Sequence, residues 1–393
     1  MRTRFAYSGD TISDMERWDA IVVGAGPAGC AAAYDLAGAG RAVVLLDDAE
    51  FPRHKACAGG LTRKSLRALR YSVAPVTRET VSAIVVEKKR GETATLASRS
   101  AVCAMTVREE LDDFCLRRTM EAGAQFERIG PIIGIDADGN GVTVATAGRE
   151  YHGRFLVGAD GVHSRVRQLL CRDSPSWLRR GFALEAEVRT GGTGEDDLVF
   201  DLAGARQGYG WIFPKGDHVN VGLYSESAEE RLDRPRLQAY IRERYGDVSV
   251  GRITGQYLGF GAENAPRAEG RAFLVGDAGG FSDPLTGEGI YGATASGQAA
   301  AAAIDGELNG GAAAHRRFAL ETAQLREDLR LSARGARWFY GNLDVGYRAL
   351  TAPVFRGAVI NAYASGTKIA GLANAIRRFA GLFAAGGKAR VNL

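Results

Sequence analysis

The chain has 393 residues, of which 46% are hydrophobic and 24% charged, a balance that excludes a wholly disordered protein. This length exceeds one ordinary hydrophobic core, so we expect two interlocking domains or one domain with a large insertion. The net charge is +4, but residues 331–393 hold nine Lys or Arg against one acid and carry +8. Such a basic tail is compatible with a nucleic acid, an anionic membrane surface or anionic substrates, and equally with a solvated helical surface; of these partners we keep a peripheral membrane contact and expect no nucleic acid.

The cysteines and the amino terminus indicate the compartment. The five cysteines are widely spaced and form no Cys-x-x-Cys pair or metal-ligand spacing, so we expect a reducing cytoplasm and no metal site. Residues 1–16 lack a continuous apolar segment, and we interpret them as a mobile extension rather than a signal peptide. No stretch approaches the roughly 20 apolar residues of a membrane span.

A strand, a glycine turn and a helix are predicted where the folded chain begins. Residues 20–23 are apolar, Gly24-x-Gly26-x-x-Gly29 follows at once, and an alanine-rich helix comes next. Gly24 permits the turn, Gly26 lets the backbone approach a pyrophosphate, and Gly29 lets the helix pack on the strand. The next strand ends at Asp47, where a carboxylate accepts hydrogen bonds from a ribose. The pattern predicts a dinucleotide site and leaves NAD and FAD open.

Two later segments also place a glycine turn after an apolar strand. In FLVGADGVHSRVR the turn is Asp160-Gly161, and in RAFLVGDAGGFSDPLTGEGIYGA it is Gly276-Asp277, followed by a glycine-rich loop and a long helix. With the first turn, these segments resemble the FAD-binding signatures of the para-hydroxybenzoate hydroxylase-like flavoproteins. The resemblance implies that the cofactor is FAD.

The same resemblance assigns roles to residues around the cofactor. It implies that Asp277 contacts the ribityl chain, that residues 284–290 run along the isoalloxazine ring, and that Arg108 lies near the cofactor's linker. The residues themselves agree for this loop, because its glycines permit close approach and the following helix N-terminus stabilises negative charge on a reduced flavin. The predicted cofactor-binding residues are Gly24, Gly26, Ala28, Gly29, Asp47, Arg108, Asp160, Gly276, Asp277, Pro284, Gly287, Gly289 and Ile290.

Two further stretches narrow the resemblance. PRHKACAGGLTRKSL and YGWIFPKGDHVNVGLYS are similar to segments of the geranylgeranyl reductase family, which saturates carbon–carbon double bonds of isoprenoid chains with reduced FAD. The resemblance covers most of residues 18–305 and implies that Cys57, Gly59 and Gly60 lie against the flavin ring and the substrate channel. Ala58 is a departure, since the family usually has an additional glycine after the cysteine.

The aromatic run YGWIFPKG has a strand-like alternation. Tyr209, Trp211 and Phe213 occupy alternate positions and therefore share one face of the strand. Such a stripe either walls a long apolar pocket, which would make the three residues substrate-binding, or packs in the core of a second domain. Lys215 follows in a Pro-Lys-Gly-Asp turn, and we expect its side chain to be solvated rather than bound to a phosphate.

The expected architecture is α/β, and α+β overall. We predict a Rossmann-type FAD-binding domain in three pieces, interleaved with a β-sheet substrate domain and followed by a C-terminal helical region. The predicted ranges are 17–75, 101–180 and 262–310 for the FAD-binding domain, 76–100 and 181–261 for the β-rich domain, and 311–393 for the helices.

The predicted reaction is the saturation of a prenyl chain by hydride from flavin N5 plus a proton. Cys57 and a bound water are the candidate acids, since a thiol with a pKa near 8.5 is mostly protonated at neutral pH. A free cysteine also serves as a small packing residue, and that alternative stays open. The electron donor is NADPH or a reduced carrier protein such as ferredoxin.

Two other functions fit the same scaffold. One is an FAD-dependent monooxygenase or halogenase, although the usual halogenase Trp-x-Trp-x-Ile-Pro motif is absent. The other is a non-catalytic isoprenoid carrier on the related fold of GDP-dissociation inhibitors. The intact flavin signatures argue against the carrier.

Overall fold

The computed structural model describes residues 17–171, 177–189, 197–265 and 270–365. The predicted extension 1–16 and the tail 366–393 lie outside these ranges. The strands are β1 (Arg17–Val23), β2 (Val43–Asp47), β3 (Gly60–Thr62), β4 (Thr77–Val81), β5 (Ala83–Lys89), β6 (Glu92–Ala97), β7 (Cys103–Thr106), β8 (Gln125–Arg128), β9 (Ile132–Ala137), β10 (Val142–Thr146), β11 (Glu150–Gly158), β12 (Arg179–Val188), β13 (Val199–Asp201), β14 (Gly208–Pro214), β15 (Val219–Ser225), β16 (Val250–Phe260) and β17 (Ala272–Leu274). The helices are α1 (Pro27–Gly38), α2 (Arg63–Ala68), α3 (Arg108–Glu121), α4 (Arg165–Leu170), α5 (Arg234–Tyr245), α6 (Ile290–Leu308), α7 (Ala314–Glu321), α8 (Ala323–Gly341), α9 (Leu343–Thr351) and α10 (Pro353–Ser365).

The first sheet has seven strands in the order β8-β2-β1-β11-β10-β9, with β17 also paired to β11. Strands β8, β2, β1, β11 and β17 run parallel, whereas β10 and β9 are antiparallel additions. The carboxyl ends of the parallel strands therefore meet at one edge of the sheet. The three predicted glycine turns follow β1, β11 and β17, so the fold brings them to this common edge.

Helices α1 and α6 pack together on the first sheet. Pro27 begins α1, where its fixed φ suits the first turn and its missing N–H is not needed. A Cβ at Gly297 of α6 would lie 2.2 Å from the backbone oxygen of Ala28, so this position requires glycine for the close helix contact. Ala-rich sequences in both helices allow the same approach along their length.

The second sheet carries the aromatic strand. Its order is β16-β12-β15-β14-β13-β5-β6, and every pair except β13–β5 is antiparallel. Leu237 and Ile241 of α5 pack into an apolar cluster with this sheet, and Ile360 of α10 packs with the aromatic residues of β14. Helices α5 and α10 thus cover opposite faces of the sheet.

The region assigned to the β-rich domain from residue 76 divides between two sheets. Strands β5 and β6 join the second sheet, but β4 pairs with β7 in a separate three-stranded sheet, β3-β7-β4. The mixed α/β fold class and the C-terminal helices are confirmed over the described residues. None of the helices within those ranges combines the length and the apolarity that a bilayer crossing requires.

Candidate active site

A cavity of about 920 Å³ lies between the carboxyl edge of the first sheet and one face of the second. Most of the predicted site residues contribute to its wall. Those that line it are Gly24, Gly26, Ala28, Asp47, Cys57, Gly59, Gly60, Arg108, Asp160, Tyr209, Trp211, Phe213, Gly276, Asp277, Gly287, Gly289 and Ile290. Gly29 and Pro284 are not in the wall. One continuous space therefore runs from the first glycine turn to the aromatic strand.

The first glycine turn is held by close backbone contacts. Gly24 has a φ of 101°, and a Cβ there would lie 2.4 Å from the backbone oxygen of Ala159, the residue after β11. A Cβ at Gly29 would lie 1.8 Å from the oxygen of Gly24, which explains glycine at a position outside the cavity wall. Asp47 accepts hydrogen bonds from the backbone N–H groups of Ala25 at 2.6 Å and Ala49 at 2.9 Å. These bonds fix the carboxylate beside the turn.

Two guanidinium groups line the cavity and share one carboxylate. Arg108 donates to both carboxylate oxygens of buried Asp112, at 2.7 and 2.8 Å, and Arg53 reaches the same carboxylate at 3.0 Å. Nη1 of Arg53 is buried without a hydrogen-bond partner in the part of the chain that the structure describes. Two cations sharing one carboxylate leave positive charge beside the N-terminus of α1, so these residues fit the pyrophosphate of FAD.

The predicted flavin loop is held by a hydrogen bond in the segment just before it and by contacts of its own residues with the aromatic strand. Oγ of Ser282 donates to Asp277 at 2.6 Å, while burial raises the pKa of that carboxyl. Gly287 has a φ of 67°, and a Cβ there would lie 2.9 Å from the hydroxyl of Tyr209. The hydroxyl of Tyr209 donates a hydrogen bond to the backbone oxygen of Thr286 at 2.5 Å. The aromatic strand therefore supports the loop directly.

Glu288 of the same loop is an anchor that the sequence reasoning missed. Its carboxylate accepts hydrogen bonds from Thr62 at 2.9 Å and Ser65 at 2.6 Å. Lys64 forms an ion pair with it at 2.5 Å, and both side chains are mostly buried. Because α2 follows the cysteine loop in the chain, this cluster fixes the flavin loop against the segment that carries Cys57.

Cys57 is half-buried and lies in the cavity wall. Its backbone N–H donates to Oε1 of Glu185 on β12 at 2.8 Å, and its Sγ lies 3.4 Å from the backbone nitrogen of Gly59. A Cβ at Gly60 would lie 2.8 Å from the ring of Phe213, so this glycine allows the aromatic strand to approach the loop. The structure thus brings the thiol, both glycines and the aromatic strand together.

A buried acid and a buried base lie behind the cysteine loop. Glu185 is 7% exposed and Lys215 is 3% exposed. Burial raises the pKa of Glu185 to about 7 and lowers that of Lys215 to about 8. Nζ of Lys215 donates to the backbone oxygen of Ala58 at 2.5 Å. The expectation that Lys215 is solvated is therefore wrong, because its side chain folds back under the loop.

The aromatic strand both lines the cavity and packs in the second domain, so the two interpretations of its stripe are compatible. Tyr209, Trp211 and Phe213 are buried members of one apolar cluster and also cavity residues. Nε1 of Trp211 donates to Oδ1 of Asn220 at 2.7 Å, which fixes the indole. Tyr363 of α10 also lines the cavity, so the C-terminal helices contribute to its wall.

Comparison with known proteins agrees with an FAD-dependent oxidoreductase. A family model described as "FAD binding domain" matches residues 17–184. An uncharacterised protein of Methanosarcina barkeri is 31% identical over 85% of this chain and 86% of its own length. Menaquinone reductase of Mycolicibacterium smegmatis is 31% identical over 70% and 73%, and digeranylgeranylglycerophospholipid reductase 1 of Methanococcoides burtonii is 30% identical over 70% and 71%.

A solved structure agrees with the fold. A geranylgeranyl bacteriochlorophyll reductase-like protein of Thermoplasma acidophilum has a TM-score of 0.75 and 19% identity, over 92% of this chain and 96% of that one. The chain belongs to the geranylgeranyl reductase family. FAD as cofactor and an oxidoreductase function are thereby confirmed, and the non-catalytic carrier is disfavoured.

Proposed function

We propose that the protein reduces carbon–carbon double bonds in the prenyl chain of a lipid or isoprenoid precursor. One observation carries this proposal: the aromatic wall of Tyr209, Trp211 and Phe213 is continuous, within one cavity, with the flavin loop. A long apolar chain entering along that wall would bring a double bond to the loop. Menaquinone and digeranylgeranylglycerophospholipid, the compounds in the names of two relatives, both carry prenyl chains.

The chemistry divides between cofactor and protein. When bound and reduced, FAD supplies a hydride. The protein has to hold the double bond against the flavin, exclude water and deliver a proton to the second carbon. In this proposal the second sheet orients the chain, the loop of residues 284–290 positions the flavin, and the thiol of Cys57 is the proton donor.

Anaerobic reduction tests the proposal. The FAD-loaded protein is reduced with dithionite, so that the result depends on neither NADPH nor ferredoxin, and is mixed with geranylgeranyl diphosphate, menaquinone and an unsaturated digeranylgeranyl lipid. After any menaquinol is reoxidised to the quinone, mass spectrometry should show the gain of one or more pairs of hydrogens in the prenyl chain, together with reoxidation of the flavin. Unchanged masses with all three compounds would overturn the proposal.

An aerobic sample with bromide or chloride is the matched control. Oxygen insertion would support the monooxygenase alternative, and halogen incorporation the halogenase. Both are competing functions of the same scaffold, so either product, without hydrogen addition under anaerobic conditions, would replace the prenyl reductase.

A further inference from the structure

Glu185 is a buried carboxyl group that lines the cavity beside the cysteine loop. Oε1 accepts the backbone N–H of Cys57 at 2.8 Å, and the side chain of Asn220 also bonds the carboxyl. The charged groups that face it are Lys215 from the turn after β14 and Arg108 from α3. Neither the packing of the aromatic residues nor the proposed hydride transfer assigns a role to this carboxyl group.

We propose that Glu185 is the proton store of the site and returns a proton to Cys57 after each reduction. This inference rests on the proposed function, in which Cys57 donates the proton, and adds to it the group that protonates Cys57 again. In this role Glu185 is a positioning and proton-supplying residue that acts through Cys57.

The step balances without a further co-reactant. Bound, reduced FAD would supply the hydride for one alkene carbon. The S–H bond of Cys57 breaks, its proton forms the second C–H bond, and a thiolate remains. The O–H bond of Glu185 then breaks and the S–H bond forms again, leaving a carboxylate that takes up a proton from solvent before the next cycle.

Burial allows Glu185 to hold a proton near neutral pH. Removal from water disfavours the carboxylate and raises the pKa of Glu185 to about 7, against the opposing effects of the Cys57 N–H, Asn220 and the two cations. An acid of this strength is matched to a reaction that operates near neutral pH. An ordinary surface glutamate would be ionised almost completely there.

Of the other carboxyl groups in the cavity wall, Asp48 is exposed, and the remaining four are committed to structural bonds. Asp47 accepts two backbone N–H groups, Asp160 accepts Ser164 and a backbone N–H, and Glu288 is paired with Lys64. Asp277, which burial also makes a weaker acid, accepts Ser282 at the predicted ribityl position. Glu185 is the carboxyl that bonds the loop of Cys57.

The substitution Glu185→Gln separates proton supply from loop support. Glutamine keeps an oxygen that can accept the Cys57 N–H but has no proton to release near neutral pH. Glu187→Gln is the matched control, since Glu187 is an exposed acid on the same strand. Both variants and the wild type are loaded with FAD and compared in two experiments.

The first experiment needs no substrate. Infrared difference spectra between about pH 5 and about pH 9 should show the carbonyl band of a protonated carboxylic acid that disappears on ionisation. We expect the band in wild type and Glu187→Gln and its loss in Glu185→Gln. A Glu185 carboxyl already ionised at about pH 5 would overturn the proton store, whatever the substrate is.

The second experiment follows turnover of reduced protein with a prenyl lipid that the wild type reduces. In Glu185→Gln the first turnover should proceed near the wild-type rate, because Cys57 still carries one proton. Later turnovers should slow roughly a hundredfold. Wild-type rates in every turnover would overturn the inference, as would equal slowing of the first and later turnovers. If wild type reduces no prenyl lipid, the proposed function fails, and the infrared result still tests the protonation of Glu185.

Discussion

The backbone N–H of Cys57 donates to Oε1 of Glu185 at 2.8 Å, across 128 residues of sequence. This bond joins the loop after β2, in the first sheet, to β12 of the second sheet. Because Cys57 and the buried Glu185 are adjacent in the cavity wall and share this bond, the protonation of Glu185 and the position of Cys57 are linked. The ionisation of Glu185 should therefore affect both the stability of the protein and the rate of the proposed reaction.

The stability of the protein should depend on pH through Glu185. The pKa of this group rises from an ordinary 4.5 to about 7 on folding, so the folded state binds more protons than the unfolded state between these values. Stability contributed by the protonated carboxyl is present at low pH and is lost as pH rises through this window. Between about pH 4.5 and about pH 7, the free energy of unfolding of the wild type should therefore fall by about 3 kcal/mol relative to that of Glu185→Gln.

Urea unfolding at several pH values measures this difference, with the FAD-free forms of both proteins. Glu187→Gln provides the control, because its exposed carboxyl should leave the pH dependence of the wild type unchanged. Parallel curves for wild type and Glu185→Gln across the window would contradict the prediction.

Removing the charge of Lys215 should shift the titration of Glu185. The ammonium of Lys215 attracts the carboxylate and opposes the effect of burial, so Lys215→Met should raise the pKa of Glu185 further above its ordinary range. The infrared titration midpoint measures the shift. Lys89→Met, at a side chain that is 73% exposed, is the control and should leave the midpoint in place. A midpoint that does not move in Lys215→Met would show that the two groups are not coupled.

The sequence predicted the parts of the site that local patterns determine. A tight turn needs glycine at fixed spacings, so Gly24, Gly26 and Gly29 indicated a dinucleotide turn without any knowledge of tertiary contacts. Alternation likewise predicted that Tyr209 and Trp211 share a face, and the structure confirms this through the one cavity that both line. Local backbone geometry suffices for such conclusions.

Glu185 and Lys215 depend on contacts between distant segments. Side chains alternate along a strand, so Glu185 and Glu187 lie on the same face of β12. The cysteine loop covers Glu185 and leaves Glu187 exposed, a difference that the sequence of β12 alone does not indicate. Lys215 follows Phe213 by two residues and therefore continues the alternation of residues 209, 211 and 213, which favours the same face of the strand. The expectation that Lys215 is solvated rested instead on the composition of the turn around it, and that expectation is wrong.

Gly29 should tolerate no side chain. A Cβ there would lie 1.8 Å from the oxygen of Gly24, so Gly29→Ala must displace α1 from the turn and should cost about 2 kcal/mol or more of stability. FAD should also bind more weakly, since the N-terminus of α1 would move from the pyrophosphate position. Urea unfolding and titration with FAD measure the two effects.

Gly38→Ala is the matched substitution at the other end of the same helix. A Cβ at Gly38 meets nothing within 4 Å, so this variant should match or exceed the wild-type stability by a few tenths of a kcal/mol and bind FAD normally. Equal behaviour of the two alanine variants would argue against the close contact at Gly29.

The pair formed by Lys64 and Glu288 should stabilise the flavin loop. Glu288→Gln removes the negative charge that pairs with Lys64 and accepts hydrogen bonds from two hydroxyl groups. This substitution should lower the free energy of unfolding by about 2 kcal/mol and weaken FAD binding. Adding Lys64→Met should recover part of this loss, because the ammonium is then no longer left unpaired. Glu121→Gln, at an exposed pair with Arg118, should change stability by less than about 0.5 kcal/mol. Additive losses in the double variant would show that the two charges do not interact.

Cys57 should be required for turnover and dispensable for FAD binding. Alanine has no proton to give, and a serine hydroxyl is too weak an acid, so Cys57→Ala and Cys57→Ser should both lose roughly a hundredfold in prenyl reduction. The spectrum and affinity of bound FAD should stay near those of the wild type, since the cofactor contacts described above come from other residues. Cys171→Ala, at a thiol that does not line the cavity, should retain full activity. Near-normal turnover in Cys57→Ala would leave the thiol only a packing role and would require a bound water as the proton donor.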